Sequence, residues 1–221
     1  MDDLSRVDQG KVCAKILKED VQNSFSKHRL PILGKQIEDT EQALVDLAKK
    51  EAEFTRERLE SNASLENLMK EALHYGDQVK EELPHVESVK RLQTDPRNLS
   101  QKQAYVDVVI ELIDTYKDEL YFGVEALDKL EKLDQAQDKE LREAIEAEDN
   151  YRAAVVYKNA SVEQLLGSIR RVKRFVRRNH GIQSKPYQSI KDSNFKKSKR
   201  KKKEEVTTPQ ASPTPTSAQP N

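Results

Sequence analysis

The sequence predicts an all-α protein: a long antiparallel helical hairpin or coiled-coil bundle, kinked near Pro31, followed by a disordered basic tail. Composition is the first ground. Charged residues are 35% of the 221 residues and aromatics 5%, with no Trp and six Gly. That is too little apolar bulk for a thick core, but enough Leu, Val and Ile for a narrow seam along long helices. Proline spacing is the second ground, because long stretches contain none. Periodicity is the third: apolar residues recur mostly at intervals of three, four and seven, which is one face of a helix.

The elements follow in order. A first helix is expected over about 4–29, with Val7, Val12, Ile16, Leu17, Val21 and Phe25 as its stripe. Leu30-Pro31-Ile32-Leu33-Gly34 then breaks or kinks it, since an interior proline removes a hydrogen bond and clashes with the preceding turn. A second helix is expected over about 35–83, carried by Ile37, Leu44, Leu47, Phe54, Leu65, Leu68, Ala72 and Val79. Pro84 ends it. Asp95-Pro96 and Arg97-Asn98 give the next stretch turn chemistry, and Val86, Val89 and Leu92 suggest a short helical turn inside it. A third helix is expected over about 100–179, capped by Ser100 and stopped at Asn179-His180-Gly181, where glycine takes the left-handed conformation. Residues 1–181 thus form one elongated domain, and 182–221 a tail that is first basic and then rich in Pro, Ser and Thr.

The simplest closure folds the chain about residue 93, so that residues equally distant on either side face each other and Pro31 lies opposite 153–156. One segment exceeds what a two-helix seam requires. Tyr105, Val106, Val109, Ile110 and Ile113 place apolar groups on more than one helix face. They predict either a self-association surface, with a homodimer closing a four-helix bundle, or a connector that folds over them.

Charge is strongly asymmetric. Residues 1–169 hold 24 basic and 36 acidic side chains, whereas 170–203 hold 15 basic side chains and one acid, Asp192. Within the second segment, Arg170, Arg171, Lys173, Arg174, Arg177 and Arg178 wrap a helix end whose seam is Val172, Phe175 and Val176. They are expected to bind an anionic partner, or else to dock on Asp2, Asp3 and Asp8 of the first helix. The run Lys196-Lys197-Ser198-Lys199-Arg200-Lys201-Lys202-Lys203 repels itself. It fits a nuclear-import signal, a polybasic membrane anchor or a nucleic-acid arm.

Catalytic chemistry is not legible. No glycine-rich phosphate loop is present, and the four histidines lie apart from Cys13 and from one another. Glu71 and His74 form a single Glu-x-x-H, whereas di-iron carboxylate bundles need two. The expectation is a non-catalytic scaffold subunit without cofactor or metal, meeting protein partners through its helices as a homodimer or hetero-coiled coil. A membrane-surface module and a nonspecific nucleic-acid binder are the alternatives. A lone cysteine, an acidic N-terminus and the lack of a long apolar run point to an intracellular chain, nuclear in preference to cytoplasmic.

Overall fold

The computed structural model describes residues 2–93 and 96–193. Helix is the regular structure among them, with no strand. The elements are α1 (Asp3–Glu19), α2 (Ser24–Glu82), a 3-10 segment (Glu87–Gln93), α3 (Leu99–Thr115), α4 (Gly123–His180) and α5 (Lys185–Asp192). The described residues form two compact units: 2–45 with 156–193, and 46–155. Helices α2 and α4 contribute to both and run antiparallel in each.

Unit 1 builds its core from α1, the start of α2, the end of α4 and α5. Val7, Cys13, Leu17, Leu33, Leu165, Val172, Val176 and Ile190 are all at most 2% exposed. Asp2 caps α1 by accepting from the Ser5 N–H at 2.8 Å. The first helix ends at Glu19, earlier than its apolar stripe suggests, and the chain turns at 20–23. Asn23 then starts α2: its Oδ1 accepts from the Phe25 N–H at 2.9 Å, the N-cap pattern.

Pro31 does not break the chain. It lies inside α2. Its ring removes the partner of the Lys27 carbonyl, but Lys27 and Pro31 are both exposed, so water can satisfy that carbonyl. On the opposite side Leu33 and Ile37 stay buried and hold the helix in register. The expected boundary therefore moves from Pro31 to the turn at 20–23.

Unit 2 contains the larger departure. The expected third helix is two helices. Asn98, not Ser100, caps α3, in a capping box with Gln101. The helix ends where the Tyr116 N–H reaches the Leu112 carbonyl at 3.1 Å, and α4 begins at Gly123 after a turn. Helix α3 packs beside the 3-10 segment, where Val89 and Leu92 are buried. Tyr105, Val106, Val109 and Ile113 are at most 5% exposed inside this chain's own core, and Ile110 packs against it partly buried. The apolar excess is satisfied by a third helix folding back under the connector. These five residues consequently do not form an exposed self-association surface.

That fold-back also shifts the register. Phe25 stacks on Phe175, with ring centroids 4.2 Å apart, where closure about residue 93 would have given residue 161. The Thr40 hydroxyl donates to the Gln36 carbonyl at 2.7 Å and lies 3.3 Å from that of Ser161. Phe54 stacks on Tyr151, and the Lys129 Nζ donates to Glu71 at 2.7 Å. Each partner lies fourteen or more residues later than a simple hairpin places it, because α3 occupies the intervening length.

The glycines separate by what a side chain would meet. A Cβ at Gly123 would lie 2.5 Å from the Lys117 carbonyl oxygen and 2.7 Å from its Cα, which are backbone atoms of the α3–α4 turn. Nothing lies within 4 Å of a Cβ at Gly34 or Gly167, both interior to long helices. Gly34→Ala and Gly167→Ala should each stabilise by about 0.5–1 kcal/mol in urea unfolding, from reduced backbone entropy of the unfolded chain. Gly123→Ala should destabilise by about 1–3 kcal/mol, as overpacking does. Equal effects at all three would show that the α3–α4 turn is not as described.

The tail also begins later than expected. Ser184 caps α5, with Pro186 in its first turn, where a missing N–H costs nothing. The Gln9 side-chain amide donates to the Ile190 carbonyl at 3.1 Å and ties α5 to α1. The remainder of the expected disordered tail, including the run at 196–203, lies outside the described residues.

Candidate anion-binding face

The end of α4 is held in one rotational setting. Leu165, Ile169, Val172 and Val176 are at most 3% exposed, and the Phe25–Phe175 stack adds an aromatic anchor. At about 100° per residue, Arg170, Arg171, Arg174, Arg177 and Arg178 fall in a sector of about 120° centred opposite that stripe. All five are exposed. Lys173 differs: it is half-buried, with its Nζ 5.8 Å from the centroid of the Tyr187 ring. Of the six cations singled out in the sequence, five form a common outward face and one turns toward α5.

No ion pair neutralises the face among the described residues. Asp2 caps its own helix, and Asp3 pairs with Arg6 at 3.3 Å and with Lys158 at 2.8 Å. Among the described residues, the ion pairs involving arginine are those of Arg6, Arg56 and Arg152. The five arginines of α4 are not among them. Of the expected docking partners Asp2, Asp3 and Asp8, Asp2 is engaged by its own helix cap and Asp3 by Arg6 and Lys158.

The two units also divide the charge. Residues 46–155 carry 16 basic and 27 acidic side chains, whereas 2–45 together with 156–193 carry 16 basic and 10 acidic. The sequence suggests an acidic rod with a basic arm. The folded chain has one acidic unit and one basic unit: the basic excess comes from 156–193, with nine basic and two acidic side chains, whereas 2–45 is nearly balanced at seven and eight.

The remaining candidates do not converge. Glu71 is paired with Lys129, while the His74 ring contacts the Gln78 side chain at 3.3 Å. Glu57, Glu60 and Glu140 bring carboxylates within 4.8 Å of one another, with Arg56 paired to Glu57 and Glu60. No helix of the described residues is long and apolar enough to cross a membrane.

Cys13 sits beneath the basic face, fully buried. Burial pushes its thiol up from an ordinary 9.0 to about 12, with the Lys173 ammonium pulling weakly the other way. The folded state thus keeps a proton that the unfolded chain releases near pH 9. The stability this supplies is complete below pH 9 and falls as pH rises from 9 toward 12. Urea titrations of the protein and of Cys13→Ala should show the native advantage shrinking across that window. An unchanged difference would contradict the buried thiol.

Comparison with models of known families, with curated protein sequences and with solved structures returned no match.

Proposed function

We propose that this chain is a non-catalytic assembly subunit that holds an anionic partner on the arginine face of unit 1. The exposed sector of Arg170, Arg171, Arg174, Arg177 and Arg178, which forms no ion pair among the described residues, carries this reading. Arginine suits it, because its planar guanidinium makes paired hydrogen bonds to carboxylate or phosphate and stays charged. A helix held by a buried stripe presents those groups in fixed spacing, at a low entropic cost on binding.

Contacts with helical partners, including a second copy of the chain, are part of the proposal. They find support in Leu59 and Ile145 of unit 2, which remain 64% and 52% exposed. The lysine run at 196–203 is read as a nuclear address that also adds electrostatic reach. Replacing its lysines with glutamine should disperse a fluorescent fusion into the cytoplasm, and unchanged localisation would remove the nuclear reading.

The binding test uses heparin as a generic polyanion. The full chain should be retained, Arg171→Glu/Arg174→Glu/Arg178→Glu should elute at much lower salt, and glutamine substitution of the 196–203 lysines should leave substantial retention. Retention by the arginine variant equal to that of the parent would overturn the proposal.

A further inference from the structure

Two turns meet at one end of unit 1, one at 20–23 between α1 and α2 and one at 181–184 between α4 and α5. The His180 Nε2 lies 4.0 Å from the Asp20 carboxylate, and the Phe25–Phe175 stack lies directly behind. Gly181 makes the second turn possible, with φ of 82°. Each turn carries one large aliphatic residue and leaves it in water: Val21 is 44% exposed and Ile182 is 49% exposed. Their turn neighbours, Gln22, Asn23, Gln183 and Ser184, are polar.

Cations flank both aliphatics. Lys18 and Lys27 stand on either side of Val21, and Arg177, Arg178 and Lys185 on either side of Ile182, all exposed. Glu19 and Asp20 are the acids of the same stretch. Aliphatic tips ringed by lysine and arginine match the boundary of an anionic bilayer. Headgroup phosphates and carboxylates meet the cations, and the short aliphatic chains leave water for the upper acyl region. A nucleic-acid backbone would also take the cations but has no use for the aliphatics. The contrasting turn at 116–122 supports the distinction. It exposes Tyr121 at 82%, with Val124 beside it at 70%; Lys117 is paired with Asp114, but Asp118, Glu119 and Glu125 also flank them, and that net acidic field repels an anionic surface.

We infer that the end of unit 1 formed by these two turns is a membrane-surface contact, seating Val21 and Ile182 at the interface of an anionic lipid bilayer under Arg177, Arg178 and Lys185. This rests on the anion-binding reading above and specifies its partner. The contact is peripheral, made by turns and side chains. The outward arginines nearer the middle of α4 engage as the unit tilts onto the surface.

The test is flotation of the full chain with phosphatidylcholine vesicles, with and without phosphatidylserine. Binding should require phosphatidylserine and weaken with salt. Val21→Ser/Ile182→Ser should lower vesicle affinity about tenfold or more, the scale of withdrawing two aliphatic side chains from an apolar phase. The same variant should keep its heparin retention. Arg177→Ala/Arg178→Ala should lower both, at about fivefold per charge for vesicles, and Tyr121→Ser neither. Because the chain has no Trp, Ile182→Trp supplies a single reporter whose emission should shift to the blue on phosphatidylserine vesicles alone. Both turn positions are exposed, so unchanged circular dichroism is expected for these variants. Undiminished flotation of Val21→Ser/Ile182→Ser, or no blue shift, would overturn the membrane contact. Arginine-dependent heparin retention without vesicle binding would sink this inference and leave the anion-binding reading standing. Loss of arginine dependence toward heparin would sink both.

Discussion

Alanine at Leu165 should destabilise unit 1 by about 2–5 kcal/mol, the range for truncating a fully buried leucine. Leu165 is 0% exposed and fills the space between α1, α2 and α4. Its Cδ1 lies 3.1 Å from where a Cβ on Gly10 would stand, and Ile37 lies equally close on the other side. A side chain at Gly10 would thus press on both Leu165 and Ile37. Removing Leu165 leaves a void that glycine cannot fill. The companion Gly10→Ala overpacks in the parent but should be tolerated or favourable in the Leu165→Ala background, giving a coupling of about 1 kcal/mol or more between contacting sites. Leu59→Ala is the control, because Leu59 is 64% exposed and should change stability little. Chemical unfolding of the four variants checks this. A Leu165 effect no larger than that of Leu59 would show that the interior of unit 1 is not packed as described.

Charge reversal on the face of α4 is the second large effect. Each arginine near a dense anionic surface contributes about a fivefold gain in affinity, so Arg171→Glu/Arg174→Glu/Arg178→Glu should cost at least about a hundredfold. The slope of log affinity against log salt should fall by about one for each arginine removed. The same formal change made at Arg58, Lys70 and Lys90 of the acidic unit provides the comparison, since all three are exposed. If binding followed net charge alone, both triple variants would lose it equally. A face in fixed geometry predicts a much larger loss from α4. Fold integrity is not at stake, because the substituted side chains lie opposite the buried stripe.

Much of this architecture is legible in the sequence, and the limits have physical causes. The all-helical class follows from period and composition, because a narrow apolar stripe in a glycine-poor chain leaves few other ways to bury it. The stop at Gly181 is local chemistry, as only a residue without Cβ adopts that backbone freely, and it holds. The helix boundaries at Pro31 and Ser100 do not hold. At Pro31 the local rule is outweighed by burial of Leu33 and Ile37, with the lost hydrogen bond facing water. At the start of α3, Asn98 and Gln101 form a capping box two residues before the expected cap.

The basic face shows the same division. Periodicity alone places the five arginines opposite Val172 and Val176, so its existence was readable. The engagement of Asp2 in a helix cap and of Asp3 by Lys158, a residue 155 positions away, was not. The exposure of Val21 on a turn next to that of Ile182 was likewise hidden. In one dimension Val21 reads as a continuation of the α1 stripe, and only the turn at 20–23 takes it out of the core.

By itself, the sequence determined that this protein is a set of long amphipathic helices ending in a basic segment, because helical period, capping and charge act over a few residues. Tertiary structure alone decided that Tyr105, Val106, Val109 and Ile113 are core, and that the register shifts by a folded-back helix. Those outcomes depend on which distant surfaces exclude water together, and that competition is settled only when the whole chain packs.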